Sequence, residues 1–284
     1  MRRGNAVAWS ITWLVVAAAP ALAAPTAPRS PEAILADHVT ALGGKESLGR
    51  HKSLHVKRKI SIKGMGIEGD EERYAATRDR FLAITSIPGI GVVRQGSDGK
   101  TFWSEDPING LRLLTGQEKE QARLDGTWNA ELQLDKLYKK ITVVPPPANA
   151  PKPAASAAAL ECLEMIPAEG APLTVCFDSQ SHQRVFQTGR QMTPQGEMPF
   201  DAHFSQWQTY EGVSLPTLER TTAGPTTIEA RVTEVKFDEK LDPALFKLKR
   251  PPADKAGKAA AGKPAKAAAS AAGSTANPPA GAAP

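Results

Sequence analysis

Short runs of alternating apolar and polar residues, each closed by a turn, constrain the fold of this chain more than any other feature. The first run places Leu54, Val56, Ile60 and Ile62 on one face with polar residues between them, and a period of two is typical of a half-buried β-strand. Further β-rich runs follow at 67–78, 81–87, 90–96, 100–105, 111–114, 141–144, 160–166, 173–178, 184–192, 199–210, 213–222 and 226–237. Clusters of Gly, Pro, Asn or Asp separate the runs, which indicates hairpins and not crossover connections. The sequence therefore predicts a mainly β (α+β) protein built on one large antiparallel sheet.

Two segments follow a helical pattern instead. Ser30, Pro31 and Glu32 supply a capping residue, a proline at the first helical position and an acid in the first turn, and apolar residues follow at helical spacing until the glycines at 43–44. The leucines and aromatic residues of 117–140 have the spacing of one or two short helices. We therefore expect a few short helices packed against the sheet.

The two ends of the chain differ in composition from its middle. Residues 1–23 have two arginines, an apolar stretch and Ala-Leu-Ala at 21–23, which is the pattern of a cleaved secretory signal. No cysteine lies near the cleavage position, so we expect export to the periplasm without a lipid anchor. Residues 250–284 contain no large apolar side chain, and we expect a disordered Ala/Lys/Pro tail. One domain over 24–249 remains, with a Pro/Ala insert at 145–159 as a surface loop.

The net charge of +5 comes from the two ends. The tail contributes four net positive charges and the signal segment two, which leaves the middle of the chain at minus one. The basic composition is therefore no indication of a folded nucleic-acid surface, and we expect no nucleic-acid partner.

The two cysteines can be placed by register. In a simple hairpin around the loop at 168–170, Cys162 and Cys176 lie directly opposite each other, at a separation that a disulfide can span. An exported chain favours that bond, which would contribute about 3 kcal/mol by closing a loop of roughly fifteen residues. Two buried thiols are the alternative.

The sequence Gly99-Lys100-Thr101 looks like the end of a nucleotide-binding phosphate loop. Such a loop requires a glycine five positions before Gly99, where this chain has Arg94, and a helix afterwards, where it has the strand-forming Phe102 and Trp103. Asp98 and Gly99 instead predict a two-residue hairpin turn.

The other polar residues give no pattern of a catalytic or metal site. His51 and His55 would form a metal-binding pair only on a helix, and the alternation there indicates a strand. His203 alternates with Asp201 and Ser205 on the expected outer face of its strand. We therefore expect no metal, no cofactor and no enzymatic activity. Arg58 is unusual because it lies in an apolar stripe, where a charge needs a carboxylate, a wet cavity or an anionic ligand.

One stretch resembles a known family. Residues 97–103, Ser-Asp-Gly-Lys-Thr-Phe-Trp, followed by Glu-Asp-Pro at 105–107, resemble the DGKT-[LF]-W-x-x-[DN]-P signature of the LolA/LolB-like superfamily, periplasmic proteins of outer-membrane lipoprotein sorting and their relatives. Gly-Val-Ser-Leu-Pro at 212–216 and Leu-Asp-Pro-Ala-Leu-Phe at 241–246 are similar to later family motifs. The family's R-P-x-x-F turn has only a shorter counterpart without proline at 78–81, which makes Arg78 the nearest match to its cavity arginine.

The resemblance implies a large antiparallel, incompletely closed β-barrel wrapped around a few short helices. It further implies an apolar cavity for acyl chains, with the helical segment 117–140 as part of a lid. The cavity residues suggested by parity and resemblance are Val56, Arg58, Ile60, Ile62, Arg78, Phe81, Phe102, Trp103, Phe177, Phe186, Phe204 and Trp207. Parity alone does not decide whether Phe102 or Trp103 faces the cavity.

The function implied is that of a periplasmic carrier or chaperone that shelters lipid or lipoprotein acyl chains for transfer toward the outer membrane. We expect a monomer, with inner- or outer-membrane transfer proteins as further candidate partners. Two alternatives stay open: an envelope sensor or interaction module on the same scaffold, and a secreted hydrolase that would bring His203, Asp201 and a nucleophile together.

Overall fold

The computed structural model describes residues 29–152, 159–194 and 196–248. The predicted signal peptide at 1–23 and the predicted tail at 250–284 lie outside the described residues, as does part of the Pro/Ala insert. The domain limits of 24–249 therefore stay predictions.

The described residues form thirteen strands in one antiparallel sheet. The strands are β1 (Ser53–Ile62), β2 (Ile67–Ala76), β3 (Arg80–Ile87), β4 (Gly91–Asp98), β5 (Phe102–Asp106), β6 (Gly110–Leu113), β7 (Tyr138–Val144), β8 (Leu160–Pro167), β9 (Leu173–Asp178), β10 (Arg184–Thr193), β11 (Gly196–Tyr210), β12 (Val213–Ala223) and β13 (Thr226–Phe237). Their order across the sheet is β6-β5-β4-β3-β2-β1-β13-β12-β11-β10-β9-β8-β7. The first strand thus pairs with the last, and β6 and β7 form two separate edges within the described part. The predicted fold class, an antiparallel sheet that is not closed into a barrel, is confirmed.

Four helices pack on one face of this sheet, which we call the inner face. They are α1 (Pro31–Ala41), α2 (Gly44–Arg50), α3 (Gly116–Gly126) and the single turn α4 (Leu134–Leu137), with a 3-10 turn at Ala130–Leu132. A second 3-10 turn, Pro243–Phe246, lies on the outer face. Ser30 caps α1 as predicted, since its Oγ accepts a hydrogen bond from the backbone N–H of Ala33. Within the described residues no helix has the length and apolar character that crossing a membrane requires.

The end of α1 shows why glycine stands there. Gly43 has a φ of 113°, and a Cβ on it would lie 2.0 Å from the carbonyl oxygen of Gly212. The predicted stop is therefore correct, but α2 begins directly at Gly44, which the sequence analysis did not predict.

The predicted disulfide between Cys162 and Cys176 is confirmed. The two residues are direct partners in the β8–β9 pairing, and their sulfurs are bonded. They lie on the outer face of the sheet and are buried there against Phe186 and the apolar residues Val144 and Ala150. The start of the Pro/Ala insert thus covers the bond from solvent.

The Asp-Gly turn is longer than the predicted two residues. The last β4–β5 pair is Ser97 with Phe102, which leaves four residues for the turn. The Asp98 carboxylate accepts the backbone N–H groups of Thr101 at 2.8 Å and Lys100 at 3.0 Å, and these bonds hold the pKa of Asp98 below its usual value. The prediction was wrong because the side-chain cap stabilises a wider turn.

Candidate binding site on the inner face

Eight of the predicted cavity residues share the inner face, as their strand register shows. They are Val56, Arg58, Ile60, Ile62, Phe81, Phe102, Phe177 and Phe204, and all are buried. Trp207 is half-buried and packs against the apolar clusters on both sides of it. The inner face therefore carries apolar clusters in both halves of the sheet, with buried polar and charged residues between them.

Three predicted cavity residues lie elsewhere. Trp103 is on the outer face, where it packs over Gly96 and its ring N–H points to the carbonyl of Phe246 at 3.4 Å. This placement follows from strand alternation, because Phe102 takes the inner position and contacts Phe81. The C-terminal residues 241–248 cover Trp103 from outside.

The other two predicted cavity residues that lie elsewhere are Phe186 and Arg78. A register irregularity between Arg184 and Phe186 changes the parity of β10, so Arg184 points inward and Phe186 covers the disulfide on the outer face. Arg78 lies exposed in the turn between β2 and β3 with a φ of 67°. Neither Phe186 nor Arg78 belongs to the inner face.

Arg58 is held in a buried ion cluster. Its side chain is 4% exposed, and it donates to Glu71 Oε2 through Nε at 3.0 Å and through Nη2 at 2.5 Å, and to Glu219 Oε2 through Nη1 at 2.8 Å. Burial alone would lower the pKa of Arg58, but the two carboxylates outweigh that effect and raise it. The expectation that Arg58 needs a counter-charge is thereby met by carboxylates from β2 and β12.

Two further charged residues of the inner face were missed by the sequence analysis. Arg73, next to Glu71 at 3.5 Å, has its pKa lowered to about 10, mainly by burial. Asp125 at the end of α3 has its pKa raised to about 7 by burial, against the attraction of Arg73. The signal for Arg73 was present, because the alternation of β2 continues that of β1 across the hairpin.

Residues 116–137 form the lid, which lies over the inner face. Its side chains pack on the sheet closely: a Cβ at Gly126 would lie 2.0 Å from the Phe81 ring. Its backbone is tied down at Trp128, whose N–H donates to Asp79, and its Asn129 side chain donates to the carbonyl of Leu48. The predicted short helices in 117–140 are confirmed, and the segment is divided into α3, a 3-10 turn and α4.

Glu131 fixes the middle of the lid by charge. Its Oε1 lies 3.6 Å from His38 Nε2 and 3.9 Å from Arg184 Nη1, while the Arg184 guanidinium stacks 4.1 Å above the Phe204 ring. Burial would raise the pKa of Glu131, but its contact with the His38 ring and the attraction of the Arg184 guanidinium hold it below its usual value. The lid is therefore attached partly by polar contacts, which water can replace.

Cavities remain between the lid and the sheet. One of about 80 Å³ is lined by apolar residues of β1, β3 and β12 together with Arg58 and Arg73, and another of about 70 Å³ lies beside β10. Asp125 lines both. A dry cavity of about 150 Å³ takes one benzene molecule, so neither of these cavities has room for a long ligand as the lid lies here.

The hydrolase alternative receives no support from the geometry. The His203 ring packs against Phe186 with centroids 4.9 Å apart, and burial lowers its pKa. Asp201 instead accepts a hydrogen bond from Asn149 at 2.6 Å. His51 and His55 are bonded to Asp238 and Glu239, and the described residues contain no group of three or more side chains arranged to hold a metal.

Comparison with solved structures identifies the fold. No protein-family model and no curated protein matches the sequence. Solved structures do match: a LolA superfamily protein from Nitrosomonas europaea (10% identity, 78% of this chain and 98% of that one, TM-score 0.51) and a Vibrio parahaemolyticus domain named for outer membrane lipoprotein sorting (12% identity, 75% and 94%, TM-score 0.50). A DUF1329 family protein from Desulfovibrio piger is similar to the same degree (14% identity, 76% and 96%, TM-score 0.50). The protein therefore has a LolA-like fold.

Proposed function

We propose that this protein is a periplasmic carrier or chaperone that shelters lipid or lipoprotein acyl chains on the inner face of its sheet, for transfer toward the outer membrane. The observation that carries the proposal is the lid: a covering segment that lies over a large apolar face and is fixed there partly by polar contacts. Acyl chains leave water only for an apolar, covered surface, and such a surface becomes available when the lid moves aside.

The lid contacts suit reversible opening. A lid fixed only by apolar packing would expose its own apolar side chains on opening, at about 25 cal/mol per Å². Hydrogen bonds such as Asn129 to Leu48 exchange for bonds to water at a net cost of only about 1 kcal/mol each. An incoming acyl chain would then replace the apolar contacts that Phe81 and Phe102 make with the lid. The pattern of an exported chain and the LolA-like fold agree with this role.

The proposal can be tested by filling the interior. Ala83 of β3 faces inward and lines the larger cavity, while Ser86, three residues further along the same strand, is exposed on the outer face. We expect Ala83→Phe to weaken the binding of a fluorescent fatty acid by at least about tenfold, which corresponds to 1.4 kcal/mol, and Ser86→Phe to bind like the wild type.

Thermal melting of both variants shows whether they stay folded, since overpacking costs about 1–3 kcal/mol. Equal binding by the wild type and a folded Ala83→Phe variant would place the fatty acid elsewhere. Absence of binding to the wild type would refute the carrier function.

A further inference from the structure

Two buried amides on the inner face of β10 each have one atom without a hydrogen-bond partner. Gln187 is 4% exposed and Gln191 2% exposed, and they lie on the same side of the strand four residues apart. Gln187 Oε1 and Gln191 Nε2 are buried and form no hydrogen bond with any described residue. Nearby Gln121 of the lid is satisfied by contrast, because its Oε1 accepts the backbone N–H of Met192 at 2.9 Å.

Such unsatisfied amides are costly. More than nine in ten buried polar groups in proteins have a partner, and an unsatisfied one costs about 1–3 kcal/mol. One unsatisfied atom on each of two glutamines of the same strand face therefore indicates a site that water or a polar ligand completes.

The space for such a ligand is the cavity of about 70 Å³ beside β10, which both glutamines line. A water needs about 10–15 Å³ measured in this way, so the cavity has room for several waters or for a small polar group. At its rim Arg190 donates to Glu197 at 2.9 Å, and the carboxylates of Glu169 and Asp125 also line the cavity. An anionic group would be repelled by these carboxylates, and the two buried atoms without partners belong to uncharged amides.

We propose that this cavity binds the uncharged head of a lipid, one that carries both a hydrogen-bond donor and an acceptor, as a hydroxyl or an amide does. Gln187 Oε1 would accept from the head and Gln191 Nε2 would donate to it. Asp125 lines both cavities, so the acyl chain would continue past it into the larger, apolar cavity. This inference rests on the proposed carrier function and adds the class of head group.

Two probes with the same acyl chain test the inference. Monopalmitoylglycerol has hydroxyl donors and acceptors, and methyl palmitate has only acceptors. We expect the wild type to prefer monopalmitoylglycerol by about tenfold in displacing a fluorescent fatty acid, the ratio that one or two added hydrogen bonds supply. In the double variant Gln187→Leu/Gln191→Leu the preference should vanish, and methyl palmitate should also bind more weakly because its acceptors lose Gln191 Nε2.

A matched control is Gln208→Leu, a glutamine exposed on the neighbouring strand β11, which should keep the preference. Removing unsatisfied amides is neutral or stabilising when an apolar group of the same shape replaces them, so the double variant should melt no lower than the wild type. If it fails to fold, Gln187→Leu alone should still reduce the preference by at least about threefold, because only monopalmitoylglycerol can donate to Gln187 Oε1.

The possible failures are distinguishable. If neither probe binds the wild type, the carrier function itself is wrong. If both bind the wild type equally, or if the folded double variant keeps the preference, the cavity holds water only and the head-group inference is overturned.

Discussion

Arg58 shows at a single residue how ion pairing on the inner face compensates for the cost of burying charge. Removing a guanidinium and two carboxylates from water costs several kcal/mol per ion, and only close pairing compensates for it. The pairing here joins β1 to Glu71 of β2 and to Glu219 of β12, with β13 lying between. A slip of one residue in any of these strands would turn a charge to the other face, so the cluster specifies the register of the sheet centre.

We expect Arg58→Ala to lower the free energy of unfolding by about 3–5 kcal/mol, because it leaves Glu219 buried without its cation and Glu71 with Arg73 alone. The matched control is Lys59→Ala on the same strand, where Lys59 pairs with Asp70 on the exposed outer face and the loss should stay below about 1 kcal/mol. Urea unfolding monitored by circular dichroism measures both. A loss for Arg58→Ala as small as that for Lys59→Ala would show that the cluster is not structural.

The sequence predicted that Arg58 needs a carboxylate, a wet cavity or an anionic ligand, but it did not predict which residues pair with it. A period of two in 54–62 fixes which side chains of β1 share a face, and it indicates the unusual charge. The partners depend on how β1 aligns with β2 and, through β13, with Glu219, which is 161 positions away. That alignment is set by packing across the whole sheet and has no local signal.

At the scale of elements, the lid is the part whose properties depend most on its surroundings. The leucine spacing predicted short helices in 117–140, yet the breaks at Asn129 and Gln133 follow from contacts with α2 and with Trp128. Strand limits were predicted within a few residues because alternation and turn residues are local. The face of Phe186 and the length of the Asp98 turn were predicted wrongly. A register irregularity and a side-chain cap changed the pairing of residues between strands, but neither changes the alternation of apolar and polar residues in the sequence.

Asp125 should make the stability of the closed lid depend on pH. Its folded pKa of about 7 lies above the usual aspartate value, so between roughly pH 4 and 7 the folded state holds a proton that the unfolded state has released. The stabilisation from this proton is complete below pH 4 and is lost as the pH rises through about 7.

We therefore expect Asp125→Asn, which is uncharged at every pH, to gain stability relative to the wild type between pH 5 and pH 8. Two pH units separate pH 5 from the folded pKa of about 7, so the full gain would be about 2.7 kcal/mol. We expect about 1 kcal/mol, because the side chain is partly accessible to solvent. Urea unfolding of both proteins at the two pH values measures it, and the difference between them removes the titration of all other groups. A difference that stays constant with pH would contradict the assigned ionisation.

At the scale of the whole molecule, both faces of the first half of the sheet are covered. The helices and the lid lie on the inner face, and residues 238–248 lie on the outer face, where Phe246 is fully buried beside Trp103. Asp238 and Glu239 begin this outer segment with 2.8 Å hydrogen bonds to His51 and His55. The resemblance at 241–246 thus marks a structural cover, beside which a cavity of about 310 Å³ lined by Trp103, Leu111 and Leu245 remains.

The central claim, that the inner face carries acyl chains, is tested most directly by identifying the lipid that co-purifies with the protein. The full chain is purified from the periplasm without detergent, extracted with organic solvent and analysed by mass spectrometry, with Ala83→Phe prepared in parallel. We predict acyl-containing lipid near one equivalent per wild-type protein and a several-fold depletion in the variant. Wild-type protein with no more acyl lipid than an unrelated periplasmic protein, and with no affinity for the fluorescent fatty acid, would contradict the claim.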